Sequence, residues 1–127
     1  MVNANSRIRI NTMRINRLLR AQIQALEMTA EALHTEVIQS QVMPFDTGFM
    51  QNESTWVDYS NSSKGKVSIV TSTPYARRLY FHPEYNFQTY ENAFASGKWY
   101  EPWLKGEVSE DFCRNAYKRF FRSLGGL

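Results

Sequence analysis

The chain has 127 residues, a formal net charge of +3, 14% aromatic residues and a single cysteine, Cys113. This length suits one domain, and one cysteine per chain excludes an intramolecular disulfide or a cysteine metal cluster. No apolar run approaches the roughly 20 residues that span a bilayer, so we expect a soluble protein, intracellular when made, with Cys113 as a small core side chain.

Basic and acidic residues are separated along the chain. Five arginines precede the first acidic residue, Glu27: Arg7, Arg9, Arg14, Arg17 and Arg20. A second basic group occupies residues 114–122, and acidic residues dominate residues 84–111. Such a molecule can meet its own copies or neighbours by charge complementarity, or present a positive face to nucleic acid. A solvated helix surface is the remaining interpretation, since arginine favours helices.

Apolar periodicity predicts a long N-terminal helix, from about Asn11 to Gln41 and ended by Pro44. Spacings that alternate between four and three residues place one apolar stripe on this helix. The stripe consists of Leu19, Ile23, Leu26, Ala30, Leu33 and Val37. At roughly 45 Å, the helix is long for so small a domain, so we expect part of it to project toward a partner.

Asp46-Thr47-Gly48 match the signature of aspartic proteases, which in the retroviral type are dimers of chains about this long. That chemistry needs two aspartates sharing a proton across the dimer axis. In those enzymes the signature ends an apolar strand, whereas here Pro44 and a helix precede it. We interpret the three residues as a structural turn, in which Gly48 relaxes the backbone and Asp46 accepts backbone hydrogen bonds. A dimeric protease is the minor alternative.

Residues 54–59 and 66–71 are β-rich runs joined by turn-forming residues, and they predict an antiparallel hairpin. Residues 75–81 fit either a short helix or a strand. Residues 84–98 predict a long loop, and long loops in compact domains are often functional.

A C-terminal helix should begin near Ser109, with Glu110 and Asp111 in its first turn, and should end at Gly125. Its apolar face would be formed by Phe112, Ala116, Phe120 and Leu124.

These elements predict an α+β fold in a single domain, residues 1–127. A long N-terminal helix with a basic arm would occupy residues 1–41. A β-rich core with a small antiparallel sheet and the long loop would occupy residues 42–106, and the C-terminal helix residues 107–127.

No catalytic or metal site is recognisable in the sequence. His34 and His82 lie far apart, with no cysteine partner and no spaced carboxylates. Nucleophile motifs, phosphate-binding glycine loops and zinc-finger spacings are missing. We therefore expect no catalytic, cofactor-binding or metal-ligating residue, no cofactor and no small-molecule substrate.

Aromatic rings, prolines and arginines are concentrated in residues 73–85 and 97–103. The cluster Trp99-Tyr100-Glu101-Pro102-Trp103 could stack nucleic-acid bases, but only Lys98 supplies a positive charge beside it. Core packing or subunit contact is therefore the preferred interpretation.

The order of these motifs resembles a family. Pro44-x-Asp46-Thr47-Gly48, a hairpin and Thr73-Pro74-Tyr75-Ala76-Arg77-Arg78-Leu79-Tyr80 are similar to tail-completion proteins of long-tailed bacteriophages. His82-Pro83-Glu84-Tyr85-Asn86-Phe87 and Gly97-Lys98-Trp99-Tyr100-Glu101-Pro102-Trp103 resemble minor capsid proteins of phages of low-GC Gram-positive bacteria. The resemblance covers about residues 42–122 and implies an α+β fold.

The resemblance implies a non-enzymatic virion protein, made in the host cytoplasm, that forms a ring in the neck joining the DNA-filled head to the tail. Its partners would be six or twelve copies of itself, adjacent connector proteins, a tail terminator or tail tube, and genomic DNA in the channel, with no membrane. The expected interface residues are Arg14, Arg17, Arg20, Tyr75, Arg77, Arg78, Tyr80, Trp99, Tyr100 and Trp103. A sequence-nonspecific nucleic-acid-binding protein is the first alternative.

Overall fold

The computed structural model describes residues 9–44 and 54–126. The predicted turn Asp46-Thr47-Gly48 lies outside these residues, so its assignment stays a prediction. The elements in chain order are helix α1 (Thr12–Gln39), strands β1 (Thr55–Asp58) and β2 (Ser68–Thr71), helix α2 (Ala76–Tyr80) and helix α3 (Phe112–Gly125). The predicted α+β fold, with a long N-terminal helix, a small antiparallel sheet and a C-terminal helix, is confirmed.

Helix α1 lies within two residues of the predicted bounds. Asn11 caps its start, because the Asn11 side-chain oxygen accepts a hydrogen bond from the Arg14 backbone N–H at 3.0 Å. Its end is marked by Gln41, which has a positive φ of 56°. With 28 residues the helix is about 42 Å long.

The buried stripe of α1 differs from the predicted one. The buried residues are Ala21, Ala25, Thr29 and Val37, whereas Leu19 is 52% exposed and four members of the predicted stripe are half-buried. Of the predicted stripe, only Val37 is fully buried, and Leu26, Ala30 and Leu33 line an apolar cleft instead. Small side chains occupy the buried positions because they let α3 approach closely, which a count of large apolar residues does not reveal.

Helix α3 runs antiparallel to α1. Cys113, near its start, shares a cleft with Leu33, whereas the carbonyl of Leu124, near its end, accepts a hydrogen bond from Arg17 Nε at 3.4 Å. Buried Ala116 lies between these two ends of the contact with α1.

The predicted start of α3 near Ser109 was wrong, and Glu110 and Asp111 precede its first turn. Consecutive turns keep the chain out of a helix here, including hydrogen bonds from Ser109 N to the Pro102 carbonyl at 2.8 Å and from Phe112 N to the Ser109 carbonyl at 3.1 Å. The helix ends at Gly125 as predicted. Gly126 follows with a left-handed φ of 70°, which terminates the helix.

The two strands form the predicted hairpin, with Thr55 paired to Thr71 and Asp58 to Ser68. They are shorter than the runs in the sequence, because Asp58 accepts a hydrogen bond from Ser60 N at 2.9 Å and so begins the turn early. A two-stranded sheet is marginal alone. Here Tyr59 donates a hydrogen bond to Glu31 and ties the hairpin to α1.

The core lies where the second half of α1 meets the aromatic segment. Its buried residues are Val37, Met43, Ala76, Trp99 and Trp103. The predicted long loop is held against residues 41–43 by hydrogen bonds from Phe94 N and Ser96 N to the carbonyls of Gln41 and Val42, at 3.2 and 3.0 Å. The loop is therefore anchored by its backbone to the segment that follows α1.

The hydrogen bond to Glu31 raises the pKa of Tyr59 to about 12, since the bond favours the protonated phenol. Its contribution to stability is complete below the ordinary tyrosine pKa of about 10 and is lost as the pH rises through about 12. We expect Glu31→Gln to lower the pKa of Tyr59 toward its ordinary value. Alkaline absorbance titration, with Tyr59→Phe identifying the signal, measures this. Glu91→Gln, at an exposed glutamate, is the control and should leave the titration unchanged.

Candidate functional site

The two segments that resemble minor capsid proteins, residues 82–87 and 97–103, contact each other. A Cβ at Gly97 would lie 2.7 Å from Pro83 Cα and 2.9 Å from Pro83 N, so this position admits only glycine without movement of the backbone. The neighbouring Lys98 N donates a hydrogen bond to the Tyr80 carbonyl at 2.8 Å. Close approach of two backbone segments therefore explains why a glycine precedes the Lys-Trp pair.

Tyr80 is the centre of the aromatic cluster formed by these segments. Its ring packs edge-on against Trp99 at 4.8 Å between centroids and against Phe81 at 5.1 Å, while Tyr100 lies 6.0 Å away. Trp99 is 2% exposed and Trp103 is 9% exposed. Both indoles thus pack within the chain, and partial burial raises the pKa of both Tyr80 and Tyr100.

The other predicted interface residues of this region, Tyr75, Arg77 and Arg78, lie exposed on or beside α2. Arg78 Nε donates a hydrogen bond to the Tyr85 hydroxyl at 3.2 Å. The Tyr85 ring stacks on His82, whose Nδ1 lies 2.7 Å from a carboxylate oxygen of Glu84. This hydrogen bond with His82 lowers the pKa of Glu84. Arg78 is therefore held against this chain's own surface, while Tyr75 and Arg77 are exposed to solvent.

Arg14, Arg17 and Arg20 lie on the arm, which we define as residues 9–20. Every residue of the arm is exposed except the half-buried Leu18. The predicted projection of α1 beyond the core is thus present at its N-terminal end. Because α3 is antiparallel to α1, the C-terminal half of α3 lies beside the arm.

The antiparallel helices bring the two basic groups of the sequence together in one surface, the basic end. Its exposed members within the described residues are Arg9, Arg14, Arg17, Arg20, Lys118, Arg119 and Arg122. Residues 9–26 and 112–126 contain no acidic residue. The rest of the described chain contains ten carboxylates and only six lysine or arginine side chains. The sequence alone did not show that the two basic groups lie side by side, because their proximity depends on the antiparallel orientation of α1 and α3.

One of the predicted arginines also has a structural role. Arg17 donates to the Leu124 carbonyl, and its guanidinium lies so close to Gly126 that a Cβ there would be 2.9 Å from Arg17 Nη2. Cations at a helix C-terminus are favourable because the unsatisfied carbonyls carry partial negative charge. Arg17 therefore stabilises the end of α3, while Arg14 and Arg20 are exposed to solvent.

An apolar cleft of about 460 Å³ lies between α1, β2, the aromatic cluster and the start of α3. Sequence reasoning did not foresee it. The residues that line it are Leu26, Thr29, Ala30, Leu33, Val67, Ile69, Tyr80, Tyr100, Trp103, Leu104 and Cys113. The Trp103 Nε1–H has no acceptor among the described residues. Partial burial raises the pKa of Cys113 and keeps its thiol protonated, so it is a poor nucleophile.

Within residues 9–44 and 54–126, no three His, Cys, Asp or Glu side chains come together as metal ligands. None of the helices in these ranges has the length and apolar character needed to cross a membrane. Comparison with known proteins finds no matching family model, no similar curated protein and no similar solved structure. Function must therefore be inferred from the arm, the basic end and the cleft.

Removal of a core indole should destabilise the fold strongly. We expect Trp103→Ala to lower the free energy of unfolding by about 3–5 kcal/mol, because a large buried side chain leaves a cavity. Urea denaturation followed by circular dichroism measures the change. Tyr90→Ala, at a position that is 95% exposed, is the control and should change stability by less than about 0.5 kcal/mol. Equal stability of the two variants would contradict a core role for Trp103.

The contact between Gly97 and Pro83 can be tested with a single methyl group. Gly97→Ala should cost about 1–3 kcal/mol, because the new Cβ collides with backbone atoms that cannot rotate away. Thermal unfolding of this variant should be compared with that of Ser96→Ala, at the exposed neighbouring position. A Gly97→Ala protein as stable as the Ser96→Ala protein would show that the two segments do not touch.

Proposed function

We propose that the protein is a non-enzymatic structural component of a bacteriophage virion that forms a ring in the neck and joins the head to the tail. The observation that carries this proposal is the separation of charge between the basic end and the rest of the chain. Opposite surfaces of one molecule that attract each other make a head-to-tail contact between copies. Such a contact closes into a ring when the rotation per copy permits it.

The fold and the motifs support the same proposal. The resemblance to tail-completion and minor capsid proteins implies an α+β fold, and the chain has that class of fold. Three of the motifs that carry the resemblance, at residues 73–80, 82–87 and 97–103, pack together around Gly97 and Tyr80. Their residue types serve packing, as expected of a protein whose function is assembly.

In this role the core would be a rigid block, and the surfaces outside it would make the contacts. Arg14 and Arg20, exposed on the arm, would meet an acidic surface of a neighbouring protein. A neck channel must let DNA slide, and a dense positive lining would retain the DNA through its phosphates. We therefore assign the exposed arginines to protein contacts.

The second candidate function is sequence-nonspecific binding of nucleic acid, which the basic end favours. The aromatic cluster opposes it, because single strands are held by exposed rings on which bases stack. Trp99 and Trp103 are buried within the chain and offer no such platform. Binding of duplex DNA by the basic end alone would weaken steeply with salt.

The proposal predicts where the protein resides and which step needs its arginines. In phage carrying the double change Arg14→Gln and Arg20→Gln, which leaves Arg17 in place at the end of α3, heads should package DNA normally but join tails poorly, because the acidic contact is weakened. Electron microscopy and measurement of packaged DNA separate the two steps. The parent chain, labelled with antibody, should appear at the head-tail junction.

A matched control replaces two basic residues outside the arm, the basic end and the cleft: Lys64→Gln and Lys66→Gln. This variant should join heads to tails at the parental rate. Heads that package DNA poorly yet attach tails normally would show that the arginines contact DNA in the channel. Absence of the parent chain from purified virions would overturn the proposed function.

A further inference from the structure

We infer that the arm of one copy docks in the apolar cleft of the next copy. This inference rests on the proposed function, since it names the contact that would build the ring. Arm and cleft are different surfaces of the same chain, so the contact is heterologous and repeats from copy to copy.

The arm carries apolar side chains that the described chain leaves about half exposed. Ile15 is 42% exposed and Leu19 is 52% exposed, and their spacing of four residues places them on one face of α1. Neither is needed for the core, which begins at Ala21. An exposed apolar pair flanked by arginines is suited to insertion into a pocket on a partner.

The cleft is suited to receive such a helix face. Leu26, Ala30 and Leu33 from α1 line one side, and the aromatic cluster supplies Tyr80 and Tyr100. Leu104 belongs to the lining and is 53% exposed, so it is accessible from solvent. Entry of a helix from another copy would cover Leu104 and exclude water from the half-buried side chains around it.

Charge complementarity identifies the occupant as a second copy of this chain. The arm carries Arg9, Arg14, Arg17 and Arg20 and no carboxylate. Beside the cleft, residues 101–111, which include its lining residues Trp103 and Leu104, carry four carboxylates and one lysine. An apolar strip with positive flanks thus matches an apolar cleft with negative surroundings.

Two substitutions of the same kind test the contact from its two sides. Leu19→Asp damages the arm and Leu104→Asp damages the cleft, and both positions are about half exposed, so the fold should survive. Circular dichroism verifies folding. The control is Phe94→Asp, at a residue that is 70% exposed on neither surface. By analytical ultracentrifugation, the parent and the control should assemble beyond dimers, and each of the two variants should be monomeric.

The decisive measurement is an equimolar mixture of the two variants. The Leu19→Asp chain keeps an intact cleft and the Leu104→Asp chain keeps an intact arm, so one contact remains possible. The mixture should therefore form a one-to-one heterodimer that grows no further. A mixture that stays monomeric would overturn the inference, as would a parent chain that remains monomeric or stops at closed dimers.

Two further observations separate this inference from other readings of the same surfaces. A small apolar molecule found by native mass spectrometry on the parent, and lost in Leu104→Asp while assembly is normal, would assign the cleft to a ligand instead. Neck rings that persist in phage carrying Leu19→Asp would show that docking of the arm does not build the ring. The proposed function would then still hold. Absence of the parent chain from purified virions would contradict the proposed function, independently of the assembly state measured by ultracentrifugation.

Discussion

The approach of Gly97 to Pro83 is the contact on which the rest of the structure depends. It brings Trp99 onto Tyr80 and places both indoles of the aromatic segment beside Val37, on the second half of α1. One compact core forms there, because these rings supply most of the large apolar area available to a small domain. The first half of α1 has no comparable partner. Its projection is a consequence of where the aromatic residues are placed.

Helix orientation converts two modest charge groups into one strong surface. Cations that repel one another raise the free energy of the folded state unless an opposite charge lies close by. Part of the opposite charge comes from the chain itself, since Arg17 lies against the partial negative charge at the carboxyl end of α3. The remaining cations of the basic end are exposed, and within the described residues the one salt bridge of α3, between Arg114 and Asp111, lies at the other end of that helix. An external anionic partner is the simplest way to offset the repulsion.

Local sequence signals predicted the helices and strands, whereas long-range packing determined which residues are buried and where α3 begins. Alternating spacings located α1, and Asn11 and Gln41 mark its ends as expected. The apolar stripe did not identify the buried residues Ala21 and Ala25, because close helix packing favours small side chains and the stripe was defined mainly by large ones. The start of α3 was misplaced because a hydrogen bond to the Pro102 carbonyl, fixed by the core, holds Ser109 in a turn.

In the candidate site, too, local sequence signals predicted some features and only the folded chain shows the others. Residue types at 97–103 indicated packing or contact, but only the folded chain separates buried Trp99 from exposed Tyr75. The cleft could not be foreseen, because its walls come from four elements distant in the sequence. Its position bears on function. A cleft floored by the core helix cannot move independently of the core, so an occupant held there is fixed in orientation relative to the whole subunit. Fixed orientation between neighbours is what a closed ring requires, since a flexible joint would permit open chains of any length.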